Sequence, residues 1–278
     1  MGFVSNHQAR DSELPNYRKK ILSSIETDLL NDDNVMALFY GGSIGNENTD
    51  EYSDIDLRVV VKPEKIKEYV VNKRNRAQEW GNVLYFEEVN PLSVYTVAHY
   101  DCFIKVDTFY YIPSDIHPSL WLQNIKIIKD TDKMMAKILD NSMLLTYELS
   151  LDGLELWRTK FFAHFHEAYR RVMRKEYFYA MKCIDNLRLS IIAGWYMEIG
   201  VQPNTFGDWA RYEGERSNLE EWQQSLLKSW DCRRDPVEIL NVMKCIAHEF
   251  KKVHHSLCYK LNIDENPEWL AKIINMVI

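Results

Sequence analysis

The sequence predicts an α+β protein in two parts: a mixed sheet with flanking helices over residues 1–145, then a helical bundle over residues 146–278. Three observations carry this reading. The first half alternates helix-period stretches with short apolar runs, the pattern of strands and helices layered on one core. From about residue 150 the helical period is nearly continuous, broken mainly by "GVQPN" and "DCRRDP", both strong stop signals. A chain of 278 residues, 46% of them hydrophobic, also exceeds what one ordinary core takes.

Taken in order, residues 16–31 place Ile21, Leu22, Ile25, Leu29 and Leu30 on one helical stripe, closed by Asp32 and Asp33. "VMALFY" then reads as a short strand ending at Gly41 and Gly42, and "DIDLRVVV" as a second strand after a polar loop. Pro63 opens a helix running to Trp80. Strands follow at "VLYFEEV", "SVYTVAHY" and "FIKVDTFYYI"; Asp101 and Cys102 alone separate the last two, which predicts a hairpin. "IKIIKD" is a short element and "TDKMMAKIL" a helix. The second half is read as helices over roughly 151–174, 177–199, 218–230 and 235–261, with no internal repeat and no low-complexity segment.

Composition narrows the function classes. A net charge of −7 argues against a sequence-independent duplex-binding surface and suits a cationic partner, so no nucleic acid is expected. Five cysteines with no CxxC pair and no leader before them read as free thiols of a cytoplasmic protein. "LSIIAGWYM" is much shorter than the roughly 20 residues of a membrane span, and no membrane role is expected.

The chemistry concentrates in "GGSIGNENTDEYSDIDLRVVV", residues 41–61. Side chains two apart on a strand share a face, so Asp54 and Asp56 project together. Two unit charges about 4 Å apart repel by roughly 4 kcal/mol at an effective dielectric of 20, and such a pair favours a proton or a bound cation. All-oxygen ligands suit Mg²⁺, which completes its shell with substrate phosphates and water. Some ten residues earlier, Gly41 and Gly42 let backbone N–H groups approach phosphate oxygens, the Ser43 hydroxyl adds a donor, and the segment after Ser43 can open a helix. Alone, a Gly-Gly-Ser is most often a turn and an Asp-x-Asp a solvated strand end.

Together, strand, GGS, polar loop and D-x-D running into an apolar strand resemble the signature of the DNA polymerase β nucleotidyltransferase superfamily. That resemblance implies a third carboxylate on a neighbouring strand, and "FIKVDTFYYI" offers Asp107, with Val106 and Thr108 turned to the other face. The implied metal ligands and catalytic groups are Asp54, Asp56 and Asp107, with Gly41, Gly42 and Ser43 holding the nucleotide. The segments "IIKD", "RKEYFYAMKCIDNLRLSIIAGWYMEIG" and "AHEFKKVHHSLCYKLN" resemble the helical domain of aminoglycoside 6-adenylyltransferases, the streptomycin-modifying group tied to antibiotic resistance. The chain departs from that pattern at Ile44, where an arginine is usual, and at Ile55, where the acidic motif usually reads D-Y-D.

The resemblance implies transfer of AMP from ATP, with Mg²⁺, to a hydroxyl of a small polar acceptor, with residues 146–278 binding the acceptor and the protein a monomer or homodimer. A lincosamide nucleotidyltransferase, or a non-catalytic nucleotide-binding or antitoxin-like protein, are the competing expectations. His164 with His166 and His254 with His255 lack the i, i+4 spacing of a helical zinc pair, and Trp157, Trp195, Trp209, Trp222 and Trp230 are expected in packing. The run "KPEKIKEYVVNKRNR" reads as a solvated helix face from which Lys73, Arg74 or Arg76 could reach a triphosphate.

Overall fold

The computed structural model describes residues 6–88, 90–214 and 216–278, and the chain divides into two compact units, Met1–Leu145 and Thr146–Ile278.

In the first unit a short α1 (Gln8–Asp11) and α2 (Leu14–Leu30) precede β1 (Val35–Tyr40), a one-turn α3 (Gly42–Gly45) and β2 (Ile55–Val61). Then come α4 (Ile66–Glu79), β3 (Val83–Phe86), β4 (Tyr95–Tyr100), β5 (Lys105–Tyr111), β6 (Lys126–Asp130) and α5 (Met134–Met143). The six strands form one sheet in the order β3-β4-β5-β2-β1-β6. β2 and β5 pair in parallel and every other neighbour is antiparallel, so the sheet is mixed.

β1 is a near-continuous apolar run because it lies inside the sheet with cover on both faces. β2 alternates at its start, with Ile55 and Leu57 buried and Asp56 and Arg58 half-buried, and becomes fully buried only over Val59, Val60 and Val61. Leu38, Tyr40, Leu57 and Val59 pack in the core that α2 and α4 help form, with Ile21, Ile25, Leu29 and Ala77. Ala37, Phe39 and Val60 face the opposite way, against Met135 of α5. That cover does not extend across the sheet: on β5, Val106, Thr108 and Tyr110 are buried while Lys105, Asp107, Phe109 and Tyr111 on the other face are only half-buried.

Several boundaries differ from expectation. α2 begins earlier, at Leu14, because Pro15 suits a first turn. The β4–β5 turn is four residues long rather than two; Phe103 sits at φ 65° and its N–H donates to Tyr100 O at 3.0 Å. β3 stops at Phe86, because Glu88 leaves the ladder to pair with Arg74, and the expected strand end Val89 lies outside the described residues. "IKIIKD" is the edge strand β6, and Asp130 at its end accepts hydrogen bonds from the Met135 and Ala136 amides, starting α5.

The second unit holds α6 (Leu151–Met173), α7 (Tyr177–Glu198), α8 (Glu221–Ser229), α9 (Pro236–Lys260) and α10 (Pro267–Asn275). Gly194 brings α7 close to its neighbours: a Cβ there would lie 2.5 Å from Val253 Cγ1 and 2.9 Å from the Trp157 ring. Phe161 and Phe250 stack at 3.7 Å, and Trp157 Nε1 donates to Ser190 O across the same core. α10 is a helix beyond the four expected, capped by Asn266 and opened by Pro267. Trp157, Trp195 and Trp230 are buried, whereas Trp222 is half exposed and meets Trp195 edge-on. No helix among the described residues is long and apolar enough to cross a membrane, and all five cysteines are free thiols.

Candidate active site

The parallel β2–β5 ladder brings two predicted carboxylates together. Asp56 and Asp107 are register partners, and both project onto the half-open face of the sheet. Asp54 precedes β2 on the same side, where Arg18 from α2 anchors the approach: buried Nη1 donates to Ser53 O at 3.0 Å and to Glu51 O at 3.3 Å. Neither Arg18 nor its task was visible in the helical stripe.

Gly42 is the hinge between the glycine turn and these acids. Its φ is +54°, a left-handed conformation that glycine adopts without penalty, and an added Cβ would stand 1.8 Å from Asp56 Oδ2. The turn is tied down by Gly41 N–H donating to Asp56 O at 2.9 Å. α3 begins here, one turn long, with Ser43 buried inside it and its hydroxyl without a hydrogen-bond partner among the described residues. All six predicted residues thus lie on adjacent segments around β1, β2 and β5.

Lys105 is the member that sequence reading overlooked. Its Nζ lies 2.9 Å from Asp54 Oδ2 and 3.0 Å from Asp107 Oδ2, bridging the two carboxylates. The signal was available, since Lys105 stands two residues before Asp107 on one strand and must share its face. Burial pulls the ammonium down, but hydrogen bonds to Asp54 and Asp107 outweigh it and hold Lys105 above its ordinary value. Burial raises Asp56, helped by the nearby Asp54 and Asp107 charges and opposed by Arg58. Burial likewise raises Asp107, against Lys105.

Among the described residues no three His, Cys, Asp or Glu side chains are arranged as they stand to hold a metal ion, and the Lys105 ammonium occupies the space between Asp54 and Asp107. The donor set nevertheless fits a hard divalent cation: its atoms are carboxylate oxygens, their mutual repulsion asks for positive charge, and Asp107 Oδ1 is buried without a hydrogen-bond partner among the described residues. Asp54, Asp56 and Asp107 are the residues that could hold it, with Lys105 swung aside.

Cavities flank the acids. One of about 450 Å³ is lined by Gly41, Gly42, Arg58, Tyr111 and Trp121. Another, of about 530 Å³, is lined by Glu51, Asp54, Tyr85, His99 and Lys105, and there the Tyr85 and His99 rings stack at 4.2 Å.

The basic residues of α4 turn out to be structural. Lys73 is buried and donates to Ser93 O at 2.7 Å, Arg74 pairs with Glu88 at 2.7 Å, and Arg76 pairs with Asp32 at 3.0 Å. α4 also lies on the opposite face of the sheet, with Tyr69 against Tyr110. The helix is therefore neither a fully solvated face nor a source of triphosphate contacts. His254 is buried against Arg158 and Cys258, and His255 is exposed beside Glu265.

No protein-family model matches the chain, and no curated protein matches it. Among solved structures it is similar to an aminoglycoside 6-adenyltransferase from Bacillus subtilis, at 11% identity over 92% of this chain and 97% of that one, with a TM-score of 0.43. It is also similar to a nucleotidyltransferase-like protein from Exiguobacterium sibiricum 255-15, at 9% identity over 87% of this chain and 78% of that one, with a TM-score of 0.40.

Proposed function

We propose that the protein is a nucleotidyltransferase: it transfers a nucleoside monophosphate, AMP from ATP, to a hydroxyl of a small polar acceptor and releases pyrophosphate. The observation that carries this is the register pairing of Asp56 with Asp107 on parallel strands, beside a left-handed glycine turn that abuts the Asp56 carboxylate. Such a site joins a concentrated negative charge to a phosphate cradle, a combination that serves phosphoryl chemistry better than hydrolysis by a nucleophilic side chain.

In this reading Gly42 and Ser43 hold the β and γ phosphates through backbone N–H groups and the Ser43 hydroxyl, while the Gly41 N–H stays on Asp56 O and fixes the turn. Asp54, Asp56 and Asp107 would hold Mg²⁺, which would supply charge compensation to the phosphates. Before substrate arrives, Lys105 neutralises Asp54 and Asp107. The acceptor oxygen forms a bond to the α-phosphorus as the bond to the bridging oxygen of pyrophosphate breaks. Asp107, the register partner of Asp56 on β5, takes the hydroxyl proton in this proposal.

The acceptor hydroxyl enters from the cavity lined by Asp54, Lys105 and His99. An aminoglycoside such as streptomycin is the acceptor class proposed, since a polyhydroxylated cation suits a chain of net charge −7. Residues 1–145 carry the chemistry in this proposal and residues 146–278 choose the acceptor, because every group assigned to phosphate or metal falls in the first unit. The test is to incubate the purified protein with Mg²⁺, each of four labelled nucleoside triphosphates and a panel of aminoglycosides and lincosamides, reading product masses and pyrophosphate. A nucleotidylated aminoglycoside supports the full reading; modification of another drug replaces the acceptor only; absence of any product with every pair rejects the activity.

A further inference from the structure

A nucleoside triphosphate brings about four negative charges into a site that already holds three carboxylates, and the glycine turn offers little to meet them. From Gly41 to Asp54 the sequence "GGSIGNENTDEYSD" contains no Lys, Arg or His and four acids, Glu47, Asp50, Glu51 and Asp54. Ile44, the side chain next to Ser43, is buried and apolar. Positive charge for the distal phosphates therefore has to come from another element.

The other basic side chains near the acids are committed. Lys105 is held between Asp54 and Asp107, and Lys73, Arg74 and Arg76 serve the far face of the sheet. Arg58 differs. It lies two residues after Asp56 on β2, so it shares the half-open face, and among the described residues it is the one Lys or Arg lining the cavity that Gly41 and Gly42 also line.

Its guanidinium is preset. The Cζ sits 4.3 Å from the Phe109 ring centroid, Nη1 donates to Leu57 O at 3.0 Å, and Nη2 lies 3.7 Å from Asp56 Oδ1, beyond hydrogen-bond range. One arm of the planar fork fixes the group while Nη2 is left without a hydrogen bond among the described residues. Guanidinium forks bind phosphate oxygens in this manner, through short charge-assisted hydrogen bonds. The same cavity carries Tyr111 and the largely exposed Trp121, flat rings suited to a purine.

Building on the nucleotidyl-transfer reading above, we propose that Arg58 is the triphosphate-binding cation of this protein, supplying from β2 the charge that its glycine turn lacks. It acts on the phosphates beyond the reacting one, so its contribution grows with phosphate number.

The test is calorimetric binding of a non-hydrolysable ATP analogue, ADP and AMP to the intact wild-type chain, Arg58→Gln and Arg58→Lys, with Mg²⁺ present. Arg58→Gln is expected to weaken the ATP analogue by about tenfold or more and AMP by less than about twofold, since a charge-assisted hydrogen bond is lost for the distal phosphates alone. Arg58→Lys, which keeps the charge but not the fork, falls between and guards against a glutamine variant that fails to fold. Equal loss for all three nucleotides would mean that Arg58 only shapes the strand pair, and unchanged ATP-analogue binding would mean that another group meets the phosphates; either overturns the assignment. Failure of the wild type to bind any nucleotide would reject the underlying reading together with it.

Discussion

Replacing Gly42 by alanine tests the central contact of the site. The change adds one methyl group, and two costs follow from where it lands. The backbone sits at φ +54°, where a non-glycine residue pays roughly 1–2 kcal/mol. The new Cβ would lie 1.8 Å from Asp56 Oδ2 and 2.8 Å from Asp56 Cγ, so the carboxylate has to retreat by about 1.5 Å to reach ordinary contact. For a unit of this size the backbone cost lowers Tm by roughly 3–8 °C, read by calorimetry. Misplacing a catalytic group by about 1 Å costs on the order of 10²-fold in rate, read as pyrophosphate release with both substrates saturating. Gly41→Ala is the control: its Cβ would meet only Asp56 Cβ at 3.9 Å, and φ is −101°, so both readouts should stay near wild type. If Gly42→Ala turned over within about threefold of wild type, Asp56 would not be the group that needs this placement, and the site would have to be redrawn.

Asp56→Asn and Asp107→Asn should each abolish or cripple transfer while leaving the circular dichroism spectrum intact; for Asp107 the loss is about 10²–10⁴-fold, with the carboxylate limb missing from the profile of kcat against pH, and a wild-type profile would remove its role as base. Lys105→Met leaves Asp54 and Asp107 facing each other without a cation, a modest cost of about 1 kcal/mol at these partly exposed groups, and Mg²⁺ should then raise Tm more in the variant than in wild type; equal shifts would show that lysine and metal do not share a place. His254 is buried beside Arg158 and its imidazole is pushed down to about 4 from the ordinary 6.5. The unfolded chain therefore takes up a proton before the folded one, stability falls as pH drops from about 6.5 towards 4, and the loss levels off near 3 kcal/mol at most. Urea titrations of His254→Phe, whose ring can keep the stack on Trp157 and Phe250, should show a flatter dependence across that window, and an unchanged slope would place the titration elsewhere.

Local pattern was enough for much of this molecule. A period of two decided that Asp54 and Asp56 share a side and that Asp107 opposes Val106 and Thr108, because alternation is a property of the extended backbone itself. The same periodicity placed α6, α7 and α9 to within a residue or two, since long amphipathic or buried helices declare themselves through their apolar spacing. α10 and the one-turn α3 are short, so their signal lay in caps and turn residues rather than in period.

Pairing between distant segments is where the sequence stops being sufficient. Nothing local to residues 54–56 or 105–107 says that β2 and β5 lie in parallel with Asp56 opposite Asp107; a hydrogen-bond ladder between strands some fifty residues apart settles it. The left-handed turn of Gly42 could be suspected from two adjacent glycines, but its reason, an Asp56 oxygen where a Cβ would stand, exists only after β1 and β2 pair. The fates of the cations were likewise decided by folding. Lys73, Arg74 and Arg76 were drawn into partners on the covered face, while Lys105 and Arg58 were left on the open one, because a charge settles where the packed backbone supplies carbonyls and carboxylates to receive it.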